Sequence, residues 1–200
     1  MQNRIDPTLA NQMADATAQG KVAALFNYIE HRGQSFYDEV VTQLEHALQC
    51  ANQAQLHRGS PTQITSALLH DIGHLLLDEH NAENDFLDED QNHEEIGATY
   101  LKPFFPEAVT TPIRLHVPAK RYLCTTDASY YDGLSDASKK SLQLQGGPMS
   151  DPERVAFEQI PYFQDALLLR RWDDLAKVKG LEIPSLNAYR EIVRRCLRDA

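Results

Sequence analysis

Residues 66–74 read S-A-L-L-H-D-I-G-H, and the rest of the chain is understood by working outward from them. Ala67, Leu68 and Leu69 form an apolar run that ends in His70, Asp71 and His74, with a break at Gly73. Polar groups at the end of a buried run cost roughly 2–7 kcal/mol each when nothing partners them. Two arrangements would satisfy them: a helix C-terminus with a hydrogen-bonded histidine, or a metal ion taking both imidazole and carboxylate. That donor pair suits Fe, Mn, Co, Ni or Zn better than Ca or Mg.

On either side of this stretch the pattern is helical. Upstream, R-G-S-P at 58–61 is a turn with Ser60 placed as N-cap and Pro61 at the first helical position. Val22, Leu25, Phe26 and Ile29 recur at helical spacing within 21–32, and S-F-Y-D-E at 35–39 opens a helix running to about Leu56. Residues 1–20 are polar with a weak pattern and read as an extension ordered only in part.

Downstream, the acidic stretch 78–92 reads as a solvated loop. Helices follow over 93–101, stopped by Pro103, and from Pro106 and Glu107 to His116. A short helix within 134–149 ends at Gly146-Gly147-Pro148, Asp151 caps the next, 164–177 is amphipathic, and a last helix covers about 186–198. No repeat and no strand alternation appears. The expected fold is all-α, a helical bundle forming a single domain over 1–200.

Composition narrows the function. A chain of 200 residues builds one core. A net charge of −10 argues against a nucleic-acid surface, which needs clustered Lys and Arg. Three cysteines without C-x-x-C spacing favour free thiols and a reducing compartment. No apolar run approaches the ~20 residues of a membrane span and the N-terminus lacks a secretory h-region, so the expectation is a cytoplasmic protein with no membrane partner.

Of eight histidines, His31, His57 and His80 lie in polar or loop stretches and read as solvent-facing. His46 sits on the apolar side of its helix between Leu44 and Leu48, His70 and His74 bracket the break, and His116 ends an apolar helix four residues before Lys120. His93 follows the acidic loop directly, and its local pattern decides nothing. Asp173, in R-R-W-D-D, reads on spacing alone more readily as an ion pair with a neighbouring arginine than as a metal ligand.

Their order in the chain adds weight. His46, then the pair His70-Asp71, then the distant Asp173 resembles the H…HD…D arrangement of the HD-domain metalloproteins. His93 and His116 fall where binuclear members place further ligands, and a bridging Asp71 would then hold two metals roughly 3.5–4 Å apart.

The resemblance is closer in Q-L-E-H-A-L-Q-C-A at 43–51, L-L-H-D-I-G-H at 68–74, H-V-P-A-K-R-Y-L at 116–123, L-S-D-A-S-K-K-S-L-Q-L-Q-G-G-P-M at 134–149 and R-R-W-D at 170–173. These blocks are similar to the PhnZ/TmpB family of HD-domain mixed-valence di-iron oxygenases, which cleave 1-hydroxyalkylphosphonates. The similarity spans about residues 36–190.

The resemblance implies a non-heme Fe(II)/Fe(III) pair that uses O2 as co-substrate to break the C–P bond, giving phosphate and a carboxylate. It implies one iron on His46, His70 and Asp173, the other on His93 and His116, with Asp71 bridging. His74 and Lys120 match catalytic positions, and Lys120, Ser138, Arg170 and His74 match positions that contact the phosphonate. Gln145 is a further candidate. Taken alone, Lys120 and Arg170 read as ordinary surface charge. The substrate would be a small hydroxyphosphonate made by an upstream hydroxylase.

One segment departs from the pattern. Where the family carries a tyrosine that caps iron, three residues before a glutamate, this chain has Phe36, Tyr37, Asp38 and Glu39. Phe36 cannot ligate iron. Two aromatics and an added carboxylate, with Tyr28 upstream, suit a quaternary ammonium held by ring faces. That favours 1-hydroxy-2-(trimethylammonio)ethylphosphonate, giving glycine betaine, over the 2-amino analogue giving glycine. The same acids also read simply as a helix start. Two other functions stay open: a metal-dependent phosphohydrolase with no use for O2, and a ligand-binding module without turnover.

Overall fold

A computed structural model describes residue 5 and residues 7–36, 40–77 and 92–198. Local signals set many of the helix starts. Thr17, Thr42, Ser60 and Ser135 cap α2 (Ala18–Arg32), α3 (Gln43–Leu56), α4 (Pro61–Leu69) and α9 (Asp136–Leu144), each accepting a first-turn backbone N–H. Thr42 with Glu45 and Ser60 with Gln63 complete capping boxes. α1 (Thr8–Ala14), α5 (Ile72–Leu77), α6 (His93–Leu101), α7 (Glu107–Thr126), α8 (Ala128–Gly133), α10 (Asp151–Glu158), α11 (Phe163–Leu175) and α12 (Arg190–Arg195, after a 3-10 turn at Leu186–Tyr189) complete the bundle. The fold is all-α, and among the described residues the one β-type pairing is an isolated bridge between Phe36 and Thr42. No described helix is long and apolar enough to cross a membrane.

α7 is the central strut, packed against α11, α6 and α4, while α3 packs on α4 and α11. Its faces divide the core. Val109 and Ile113 enter the main cluster with Leu68, Leu69, Leu101 and Trp172. Leu115 and Ala119 enter a second cluster with Met149, Phe157 and Ala166. Each large side chain so buried contributes about 1.5–3 kcal/mol.

Several boundaries differ from the sequence reading. The helix expected from residue 35 starts only at Gln43, because the Thr42 cap and the Phe36–Thr42 bridge end the preceding turn. α7 contains Pro112, as expected, but does not end at His116: it runs on past Pro118 and through Lys120 to Thr126. Each proline removes one N–H donor, but the buried face holds the helix together, and His116 and Lys120 come to lie one turn apart. Ser150, not Asp151, is the N-cap of α10.

The stretch before residue 20 is more ordered than its polarity suggests. Leu9 and Met13, four residues apart on α1, are fully buried in the main cluster.

The break in 66–74 falls at His70-Asp71, between α4 and α5, and not at Gly73. Gly73 lies inside α5 for a different reason. A Cβ there would stand 1.9 Å from the His93 carbonyl oxygen, so a glycine is what lets the start of α6 approach.

Candidate active site

Four helices deliver histidines to one point. His46 comes from α3, His70 from the end of α4, His93 from the first turn of α6 and His116 from the middle of α7; all are buried. Asp71 enters at the α4–α5 break and Asp173 from α11.

The distances sort these residues into two halves. His46 Nε2 and His70 Nε2 are 3.2 Å apart, as are His93 Nε2 and His116 Nε2. Asp71 spans the halves. Its Oδ2 lies 3.4 Å from His46 Nε2 and 3.3 Å from His70 Nε2. Its Oδ1 lies 3.4 Å from His93 Nε2 and 3.6 Å from His116 Nε2. Asp173 Oδ1 is 3.3 Å from His46 Nε2, on the first half.

The tautomers follow from the other ring nitrogens. Nδ1 of His46, His70 and His116 donates to the carbonyls of Ala176, Ala67 and Ile113 at 2.8, 2.9 and 2.7 Å. A neutral ring that donates through Nδ1 presents a bare lone pair at Nε2. Lone pairs therefore converge on one another and on two carboxylates, and Asp71 Oδ2 and Asp173 Oδ1 are buried with no hydrogen-bond donor. Such a cluster needs positive charge at its centre.

Protons are one source. Burial opposes a charge on His70, but Asp71 and Cys50 outweigh it and hold the ring well above the usual histidine range. Burial likewise resists charge on Asp71 and on Asp173, yet His70 and Arg170 respectively keep both carboxyls well below the usual range. Burial, with His93 and His70, holds His116 well below its ordinary value, so that ring is a neutral donor. Metal cations are the other source. His46, His70 and Asp173 present ligand atoms within 4.8 Å of one another, and so do Asp71, His74 and His93. Four imidazoles and two carboxylates, backed by carbonyls that orient the rings, fit transition-metal ions.

The remaining candidates lie beside this cluster or apart from it. His74 stacks on His93, with centroids 3.8 Å apart and planes at 19°. Lys120 is buried and donates from Nζ to Ser141 Oγ at 2.8 Å; burial, then Arg170, lowers its pKa to about 7. Ser138 is buried on α9, where its Oγ accepts from Lys177 Nζ at 3.2 Å. Gln145 ends α9 with a buried Oε1 that has no donor.

Arg170 is buried and its guanidinium holds carboxylates: NH1 meets Asp173 Oδ2 at 2.7 Å, NH2 meets Asp174, and Nε meets Asp174 and the Tyr130 hydroxyl. Phe36 is exposed. Tyr37, Asp38 and Glu39 lie outside the described residues.

Sequence reasoning missed Lys177, Ser141, Tyr130 and Asp174. Only the doubled acid of R-R-W-D-D hinted at Asp174; the others stand in no spacing that marks them out.

Residues 44–155 match the HD domain family model. Over 198 residues, 98% of each chain, the sequence is 54% identical to a hydroxymethylphosphonate dioxygenase of Gimesia maris. Over 168 residues, 83% of this chain and 85% of the relative, it is 42% identical to a 1-hydroxy-2-(trimethylamino)ethylphosphonate dioxygenase (glycine-betaine-forming) of Leisingera caerulea. An uncharacterised protein of Acanthamoeba polyphaga mimivirus is 35% identical over 178 residues, 86% of this chain and 80% of that one.

Proposed function

The chain belongs to the HD-domain family, as one of its PhnZ/TmpB-like oxygenases, and from that premise we propose that it cleaves the C–P bond of hydroxymethylphosphonate with O2, giving formate and phosphate. The observation that carries the reading is the division of Asp71, one oxygen toward His46 and His70, the other toward His93 and His116. A carboxylate so placed suits two metal ions, each with its own histidine pair. Together with Asp173 on the first half, these residues would hold an Fe(II)/Fe(III) pair. When bound, that pair supplies O2 activation and oxidation of the carbinol carbon.

The protein's own groups bind and orient. Lys120, fixed by Ser141, offers an ammonium to the phosphonate dianion, and Ser138 offers a hydroxyl from the same helix. His74, stacked on His93, is placed to hydrogen-bond the substrate and to hold or release a proton there. Arg170 orients Asp173 through a charge-assisted bond, which leaves Oδ1 directed at His46. Balance requires only O2: one hydroxymethylphosphonate and one O2 contain the atoms of one formate and one phosphate. An upstream hydroxylation of the carbon beside phosphorus would supply such a substrate. Three free cysteines suit a cytoplasmic setting.

A second reading keeps the chemistry and enlarges the substrate to the trimethylammonio compound, supported by the 42% identical relative and by residues 36–39. Structural detail favours the smaller substrate. The Tyr28 hydroxyl donates to the Leu75 carbonyl at 3.0 Å, and Arg32 lies 6.0 Å from the Tyr28 ring centroid, a cation already on that face.

The test is phosphate release from hydroxymethylphosphonate by iron-loaded protein under air and under nitrogen. Release under air alone, with formate in equal amount, supports the proposal. Equal release without O2 would mean C–P hydrolysis and overturn the oxygenase reading; release from a phosphomonoester alone would make the protein a phosphohydrolase, and binding with turnover of neither would make it a sensor module.

A further inference from the structure

Lys177 lies just past the end of α11, on a segment clamped from both sides. The Ala176 carbonyl accepts from His46 Nδ1 at 2.8 Å. The Val178 N–H donates to Gln49 Oε1 at 2.9 Å, and Gln49 Nε2 donates back to the Val178 carbonyl at 2.8 Å. α3 therefore fixes the backbone before and after Lys177, and the first clamp is the ring of a candidate metal ligand. The side chain reaches α9, where its Nζ donates to Ser138 Oγ at 3.2 Å.

One turn further along α9, Ser141 Oγ accepts from Lys120 Nζ at 2.8 Å and donates to the Ser138 carbonyl at 3.1 Å. Two ammonium groups, from α7 and from the end of α11, thus meet neighbouring hydroxyls of one helix. Arg170, a further cation of this region, is engaged by Asp173 and Asp174. Two lysines gathered at hydroxyls, one of them buried, repel each other and favour an anion with two charges between them.

We propose that Lys177 is a phosphonate-binding residue which, paired with Lys120 across Ser138 and Ser141, selects the dianionic –PO3 group over singly charged head groups. The inference rests on the hydroxyphosphonate reading and deepens it. Lys120 neutralises one charge from within, and Lys177, half-buried, neutralises the second from the solvent side. Lysine suits this position because its ammonium is a point charge that can leave Ser138 for a phosphonate oxygen without a fixed fork to reorient.

The experiment uses the iron-loaded protein and Lys177→Gln, with Lys177→Arg as the charge-keeping control. Lys177→Gln should raise KM for hydroxymethylphosphonate about ten- to a hundredfold, the range of a charge-assisted hydrogen bond, with iron content and kcat within about twofold. Lys177→Arg should stay within about threefold. The monomethyl ester of hydroxymethylphosphonate, a monoanion, should compete poorly with the dianion in the wild type. In Lys177→Gln that discrimination should shrink at least tenfold. Calorimetric titration with inorganic phosphate alone gives a readout that needs no turnover, and Lys177→Gln should weaken it to the same degree. An unchanged KM together with unchanged phosphate affinity overturns the assignment. Absence of O2-dependent turnover in the wild type would defeat the oxygenase reading instead, and the phosphate titration would still decide the role of Lys177.

Discussion

His46 and His70 present Nε2 to each other at 3.2 Å while each donates Nδ1–H to a carbonyl, Ala176 at 2.8 Å and Ala67 at 2.9 Å. With both rings neutral, two lone pairs face each other and make no hydrogen bond, so the pair is arranged to share a cation, either a proton or a metal ion. His93 and His116 repeat the arrangement at 3.2 Å on the other side of Asp71. Protein expressed with ample iron should carry close to two metal ions per chain by elemental analysis. His46→Ala should lose metal and activity together, whereas His31→Ala, at an exposed position, should lose neither. Chelation should also lower the melting temperature. A ligand held at a thousandfold its Kd adds about 4 kcal/mol, or roughly 10 °C for a chain of this length. Consistent occupancy by a single ion would remove the binuclear assignment.

Arg170 lies between the histidine–carboxylate cluster and the proposed phosphonate-binding groups, and its contacts bear on which of them it serves. Its guanidinium lies 2.7 Å from Asp173 Oδ2, and Asp174 and Tyr130 hold its other edge. The resemblance places Arg170 on the phosphonate; its contacts with Asp173 and Asp174 support instead a role in positioning Asp173. Arg170→Gln leaves a buried carboxylate without its partner, which costs about 3–5 kcal/mol. Its melting temperature should therefore fall and its iron content drop. Normal iron content with a raised KM alone would return Arg170 to substrate binding.

The helices were legible in the sequence because they rest on local chemistry, and the six-residue cluster because its order along the chain resembles the HD-domain pattern. Ser60 and Pro61 announce α4 by capping alone, and the His46, His70-Asp71, Asp173 order carries across long separations. The errors have physical causes. The helix expected to end at His116, two residues before Pro118, runs on to Thr126, because tertiary burial of Ala119, Lys120 and Leu123 outweighs the lost hydrogen bond. Gly73 looks like a break and is a point of close approach to His93, a long-range fact with no local sign. Lys177 was invisible because only the clamp of Gln49 and His46, 128 or more positions earlier in the chain, directs it to Ser138.

Lys120 predicts a pH dependence. Burial, then the nearby Arg170, brings its pKa down to about 7, with Lys177 acting in the same direction and Asp173 and Asp174 against it. Because the value lies below that of free lysine, the side chain is charged below about pH 7 in the free enzyme and neutral above it. A phosphonate dianion binds the charged form, so kcat/KM should fall as pH rises through 7, approaching tenfold per unit. Lys120→Arg keeps its charge across this range and should abolish that alkaline limb. The measurement is kcat/KM for hydroxymethylphosphonate from pH 6 to 9 in both proteins. An alkaline limb that persists in Lys120→Arg would assign it to another group.

The last prediction concerns which hydroxyphosphonate is turned over fastest. A trimethylammonio group makes no N–H hydrogen bond and relies on ring faces and nearby anions, each good cation–π contact giving about 0.5–2 kcal/mol. Phe36 is exposed and tied by its backbone to Thr42, while Tyr28 is engaged with Leu75 and already faces Arg32. The guanidinium of Arg32 would repel a second cation at that ring. Losing one such contact costs about two- to thirtyfold in affinity. Hydroxymethylphosphonate has no amine group to place in this region, and on the proposed reading its dianion would meet Lys120 in either case. In competition at equal concentration it should therefore show a kcat/KM at least tenfold above that of 1-hydroxy-2-(trimethylammonio)ethylphosphonate. Asp38→Ala should leave its turnover unchanged within about twofold. A preference for the trimethylammonio substrate that collapses in Asp38→Ala would reverse the conclusion, because residues 36–39 would then be the amine-binding segment and the glycine-betaine-forming reaction the principal one.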